Sequence, residues 1–191
     1  VAAGLAMSAI QNNDKVGLIL FTDEVEKFIP PRKGRSRALY LIHELFSFKA
    51  KRPGTNVGKA IEFLHRTTHC RSVSFIISDF RTTDYERPLR LVHKRHDLIP
   101  ISIDDPREMD LPSVGLLTVR DLETGEHRLV DTSSVAVREG YSEQWQAAVE
   151  RRRGLFYSLG LDTVELYTDR PHFPPLLGFF RRRQRRLAQG R

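Results

Sequence analysis

The sequence predicts an α/β fold, a doubly wound and mostly parallel sheet flanked by helices, and three patterns carry that prediction. Continuous apolar runs at Val16–Phe21, residues 73–77 and residues 98–103 read as strands covered on both faces. Segments with apolar residues at helical spacing alternate with these runs, and such alternation builds parallel sheets. A chain of 191 residues without internal repeats is long enough for one domain of this kind with a well-buried core.

In order along the chain, residues 1–10, rich in Ala, Leu, Met and Ile, read as the later part of a helix ended by Gln11-Asn12-Asn13-Asp14. Val16–Phe21 is the first strand. Thr22-Asp23 opens a loop, and residues 26–29 form a short edge strand that Pro30-Pro31 stops. Ser36 caps a helix reaching Phe48, with Leu39, Ile42, Leu45 and Phe46 on one stripe. Pro53-Gly54 breaks the chain before a helix with Val57, Ala60, Ile61 and Leu64 at core spacing. A strand over 73–77, a helix over 86–95 and a strand over 98–103 follow. Residues 116–122 and 127–130 nearly alternate on either side of Gly125 and read as a hairpin. Ser142 opens a long helix with Trp145, Val149, Phe156 and Leu159 along one face and Arg151-Arg152-Arg153 on its wet face. Residues 163–167 form the last strand and residues 171–175 a turn.

Composition narrows the function classes. Apolar content of 40% and charged content of 29% fit a soluble globular domain. No apolar run reaches membrane-spanning length, and residues 1–13 lack the pattern of a signal peptide. Cys70 is the one cysteine, so no internal disulfide forms, which suits a reducing, cytoplasmic compartment. The net charge of +7 suggests nucleic acid until it is localised. Arg181, Arg182, Arg183, Arg185, Arg186 and Arg191 crowd the end without an acid, and the rest of the chain is nearly neutral. This basic patch has three readings: a solvated tail, a surface for anionic lipid or an acidic partner, and a nucleic-acid contact.

The chemistry-bearing residues lie at strand ends. Arg52-Pro53-Gly54-Thr55-Asn56-Val57-Gly58 opens the second helix, and the strand over 73–77 ends in Ser78-Asp79. Ligands of open α/β sheets bind at the carboxyl ends of the strands. A threonine hydroxyl and an aspartate delivered there are hard oxygen donors for a divalent cation. The same residues also read as caps, Thr55 for its helix and Asp79 for the following loop. Asp23 falls near the same edge. Asp104-Asp105 reads as solvated, because Pro106 marks an exposed turn. His65 and His69 lack the intervening glutamate of a metalloprotease motif. No phosphate-cradling glycine loop and no Gly-x-Ser-x-Gly elbow is present.

Three blocks in order, residues 14–23 ending in Phe21-Thr22-Asp23, Gly54-Thr55-Asn56-Val57-Gly58, and Phe75-Ile76-Ile77-Ser78-Asp79-Phe80, closely resemble a bacterial von Willebrand factor A-like family of unknown function encoded beside MoxR-type AAA ATPases. The resemblance covers most of residues 1–180. It implies a metal-ion-dependent adhesion site built from three loops, with Thr55 in the second and Asp79 in the third. Gly54 and Gly58 then allow close approach to the ion, and Asn56 stands where an aspartate is common. Asp23 and Ser78 lie at the site's edge. The first loop, Asp-x-Ser-x-Ser, is absent from residues 1–15, so the expectation is an amino-terminally truncated domain over 1–178, lacking its first strand, and a basic tail over 179–191. The implied function is a non-enzymatic interaction domain that binds Mg2+ through an incomplete site. Its implied partners are a MoxR-type AAA ATPase and an unknown target, in assembly or maturation of other proteins. A membrane anchor upstream of Val1 is compatible with the family. The alternatives are a metal-dependent hydrolase using Asp79 and Asp23, and a protein acting through its basic tail on nucleic acid or an anionic surface.

Overall fold

The computed structural model describes residues 1–120 and 127–189, and the chain divides into two compact units. The first unit holds helix α1 (Ala2–Gln11), strands β1 (Val16–Phe21) and β2 (Val25–Arg32), and helices α2 (Arg35–Ser47), α3 (Val57–Thr67) and α4 (Glu86–Val92). The second holds β3 (Val73–Ser78), β4 (Asp97–Asp104), β5 (Leu116–Arg120), β6 (His127–Asp131), α5 (Val135–Ser158), β7 (Val164–Tyr167) and α6 (Phe173–Gln189). The expected turn residues Leu122 and Gly125 of the hairpin lie outside the described residues. No described helix is long and apolar enough to cross a membrane.

In the first unit, α1 stops where Asn13 takes a positive φ of 58° and the Asp14 amide reaches back to the Ala9 carbonyl, closing the helix end. β1 pairs antiparallel with β2, and β2 runs through Pro30-Pro31 instead of stopping before them. The register moves from Val16 opposite Arg32 to Leu18 opposite Ile29, so one extra residue bulges out at the prolines. A bulge tolerates residues that cannot donate to the ladder. Gly17 lies against it: a Cβ there would sit 2.8 Å from the Ile29 carbonyl oxygen and 3.0 Å from Pro31. Ser36 lies inside the first turn of α2, which starts at Gly34 without a side-chain cap. The buried face of α2 is Ala38 and Leu41, while Leu39 and Phe46 are exposed. α3 buries Val57, Ala60 and Ile61 as its spacing requires.

In the second unit, β3, β4 and β7 form a parallel three-stranded sheet with β4 in the middle. β4 is covered on both faces, with Leu98, Ile99 and Ile101 buried. The α/β class is thus realised in one short parallel sheet, with β1–β2 and β5–β6 as separate antiparallel pairs. At the base of the β5–β6 pair, the buried Thr132 hydroxyl donates to the Gly115 carbonyl at 2.7 Å. α5 begins seven residues before Ser142, at Val135, and closes on Gly160 at φ 62°. α6 starts at Phe173, so Pro174 and Pro175 occupy its first turn, where a missing N–H costs nothing. The arginine-rich end continues this helix without a break at residue 179.

Replacing Gly17 by alanine forces a methyl group onto a backbone oxygen of the bulge and is expected to cost about 1–3 kcal/mol. Urea denaturation of the variant reads this directly. An unchanged midpoint would mean that the bulge relaxes freely.

Candidate functional site

The expected site residues fall in both units, and each group is built by its own local chemistry. In the first unit, the loop after β1 is stitched to the turn before α3 by the Asn56 amide, which donates to the Thr22 carbonyl at 2.8 Å. The buried Thr22 hydroxyl donates to Glu26 Oε1 at 2.8 Å, and Glu26 accepts the Lys51 amide at 3.0 Å. Gly54 takes φ +95°, a conformation that side chains resist, and its missing Cβ would lie 3.8 Å from that of Asp23. Asp23, Gly54 and Asn56 are therefore brought together.

Their roles differ from simple expectation. Asn56, not Thr55, caps α3, its Oδ1 accepting the Lys59 amide at 2.7 Å. That leaves the half-buried Thr55 hydroxyl without a capping role. Asp23 faces Arg52 at 3.4 Å, and the same guanidinium meets Glu24 at 3.3 Å, so one exposed cation is shared between two carboxylates. Gly58 serves a protein contact. Its amide donates to Asp84 Oδ2 at 2.7 Å, and a Cβ at Gly58 would come within 2.5 Å of the Asp84 carbonyl oxygen. Asp84 places a carboxylate at the positive end of α3, a residue with no signal in its sequence neighbourhood.

In the second unit, β3 ends in a tight hook. The Ser78 hydroxyl donates to Asp79 Oδ1 at 3.3 Å and accepts the Phe80 amide at 3.1 Å. Phe80 takes a positive φ of 55° and buries its ring edge-on against Phe156 at 5.3 Å. That anchor turns the chain so that Asp79 stands exposed beside it. From beneath, Arg152 donates to the Asp79 carbonyl oxygen at 2.7 Å. The same guanidinium grips Asp104 with two bonds, at 3.1 and 2.6 Å. Both partners are almost fully enclosed, with side-chain exposures of 5% and 1%. Two expectations are corrected here. Arg152 is not on the wet face of its helix, and Asp104 is not solvated. Asp105 does lie in the turn that Pro106 marks, and its side chain accepts the Arg107 amide at 2.9 Å. The missed signal was spacing: Val149, Arg152 and Phe156 share one helical stripe, so Arg152 had to face inward with them.

Beside Asp79, Arg81 lies over the Trp145 ring at 5.3 Å and pairs with Glu108 at 3.0 Å. Asp79 Oδ1 takes Ser78 and the Arg81 amide, and Oδ2 has no protein donor among the described residues. A hydroxyl at Thr55 and a carboxylate at Asp79 are hard donors of the kind Mg2+ prefers, and both retain lone pairs for a ligand. No group of three or more His, Cys, Asp or Glu with metal-binding placement occurs among the described residues. Each donor by itself fits a hard cation in type.

The family profile described as a protein of unknown function, DUF58, matches residues 1–152, and the chain belongs to that family. An uncharacterized protein of Mycobacterium avium is 28% identical over 166 residues, covering 85% of this chain and 98% of that protein. An uncharacterized protein of Mycobacterium tuberculosis is 26% identical over 198 residues, and this chain spans 61% of its length. Among solved structures, the conserved hypothetical protein BatB from Bacteroides thetaiotaomicron superposes with a TM-score of 0.54 at 17% identity, covering 93% of this chain and 83% of that one. That likeness is one of fold.

Gly58→Ala is expected to cost about 1–3 kcal/mol by driving a methyl group into the Asp84 backbone, a loss read by thermal melting. Arg152→Met strands Asp104 as an unpaired buried charge and is expected to cost about 3–5 kcal/mol. Adding Asp104→Leu removes that charge and restores most of the stability, yet the Asp79 carbonyl still lacks its donor. Amide exchange at Phe80 and Arg81 is then expected to be roughly tenfold faster than in the parent, even in the restabilised double variant. Unchanged protection there would mean that Arg152 does not hold the hook.

Proposed function

We propose that this protein is a non-enzymatic, metal-dependent interaction domain of von Willebrand factor A type. In this reading it works with a MoxR-type AAA ATPase in the assembly or maturation of other proteins. The observation that carries the reading is Asp79: an exposed carboxylate at the carboxyl end of a parallel strand, on a backbone fixed by a buried ion pair. Rigid, solvent-facing oxygen donors at strand ends are what an α/β sheet offers a ligand.

As the resemblance implies, Thr55 and Asp79, each described within its own unit, would offer oxygen ligands to Mg2+. The bound ion would supply Lewis acidity toward a carboxylate of the partner. The chain's own part is to hold its donors in place. Ser78 and the Arg81 amide orient the Asp79 carboxylate, Arg152 fixes its backbone, and Asn56 frees Thr55 by taking over the helix cap. Asp23 contributes negative potential at its strand end, partly offset by the Arg52 guanidinium that it shares with Glu24. Membership in DUF58 and the α/β architecture support the reading at the level of family and fold.

Calorimetric titration of the full-length protein with Mg2+ tests it. Binding heat is expected in the parent, and Thr55→Ala or Asp79→Ala should each weaken it by tenfold or more, about the loss of one charged or hydroxyl ligand. Absence of heat in the parent, or heat unchanged in both variants, would remove the metal from the account.

A further inference from the structure

The sequence presents the terminal arginines as one basic cluster, but helix α6 sorts them into different roles. Leu176 and Phe179 are buried, and Phe179 and Phe180 meet edge-on at 5.2 Å, with Phe180 reaching Phe75 of β3 at 6.0 Å. On this inner side Arg183 joins Asp97 and Asp162, the latter at 2.8 Å, and Arg186 meets Asp162 at 2.5 Å. Those two cations are consumed in docking the helix onto its own unit. Arg181, Arg182 and Arg185 are exposed and make no ion pair among the described residues.

The outward side has a definite order. Phe173, Leu177, Arg181 and Arg185 follow one another at four-residue spacing and so form a single ridge along the helix. Phe173 is 61% exposed and Leu177 42%. The ridge is apolar in its first half and cationic in its second, with Arg182 alongside. Exposed apolar side chains next to unpaired arginines on a docked helix suit an interface that offers hydrocarbon and negative charge together.

We propose that the outward ridge of α6 docks the protein on an anionic phospholipid surface, with Arg181, Arg182 and Arg185 at the headgroups and Phe173 and Leu177 in the acyl boundary. A nucleic acid would satisfy the arginines and leave the apolar half of the ridge in water, so the bilayer is the better match. Each arginine near such a surface contributes roughly fivefold in partitioning, and three together on the order of a hundredfold. Attachment of this size is reversible and weakens with salt. It is independent of the metal reading.

The test is sedimentation of the full-length protein with vesicles of phosphatidylcholine alone, or mixed at about three to one with phosphatidylglycerol, in low salt with a chelator present. Partitioning onto the mixed vesicles is expected to exceed that onto the neutral ones by on the order of a hundredfold. The triple variant Arg181→Gln, Arg182→Gln, Arg185→Gln should lose this preference. Phe173→Ser with Leu177→Ser should weaken binding several-fold at unchanged charge. Equal partitioning onto both vesicles, or a preference that survives the triple variant, overturns the proposal. So does duplex DNA bound as tightly as the mixed vesicles, with the Phe173 and Leu177 substitutions having no effect.

Discussion

The buried pair of Asp104 and Arg152 is the constraint on which the second unit depends. Enclosing two opposite charges costs several kcal/mol per ion before their attraction is counted, roughly what bidentate geometry and full hydrogen bonding recover. Here the geometry is bidentate, and the spare donor capacity of Arg152 goes to the Asp79 carbonyl. Asp104 stands at the end of β4, opposite Tyr167 of β7, and its own carbonyl accepts the Thr168 amide at 3.1 Å. One guanidinium thus ties the long helix α5 to the middle strand and to the exit of β3. None of these parts can shift alone without leaving a buried charge or carbonyl unpaired. The pair contributes little net stability and a great deal of definition.

The first unit reaches a comparable definition through the backbone. Asn56 caps α3 with its side chain while its amide holds the Thr22 carbonyl, so a single residue sets both the helix start and the strand-end loop. Gly58 permits the Asp84 segment to lie against the first turn of α3, and Asp84 Oδ2 accepts the Gly58 amide at the positive end of that helix. The glycine is required by a protein neighbour, whatever ligand the edge takes.

Most elements were legible because their signal is periodic. The apolar runs of β1, β3 and β4 and the stripe of α3 follow from spacing alone. What was hidden came from residues whose chemistry points one way and whose position points the other. Arg152 sits in a run of three arginines, which suggests solvent, yet it shares its stripe with Val149 and Phe156, which are buried. Asp104 precedes a turn, yet it completes a strand whose neighbours are covered on both sides. Prolines misled twice, at the bulge of β2 and in the first turn of α6, because their missing donor matters only where a donor is needed. Thr55 and Asp79 were visible as residue types in a pattern. Their local partners, which decide what each atom is free to do, were not.

Those partners rank the carboxylates as ligands. Asp23 shares the Arg52 guanidinium with Glu24, so a cation arriving there would compete with a guanidinium already in place. Asp84 is committed to the start of α3. Asp104 is sealed against Arg152. Asp79 alone among these combines exposure with a backbone held by a buried donor and a carboxylate oriented only by neutral groups, a serine hydroxyl and an amide. Neutral donors orient an oxygen without cancelling its charge, and a fixed backbone removes the ordering cost that binding would otherwise incur. Among these four carboxylates the local electrostatics favour Asp79 as an anionic ligand, and the ion pair beneath it holds the backbone from which its side chain projects.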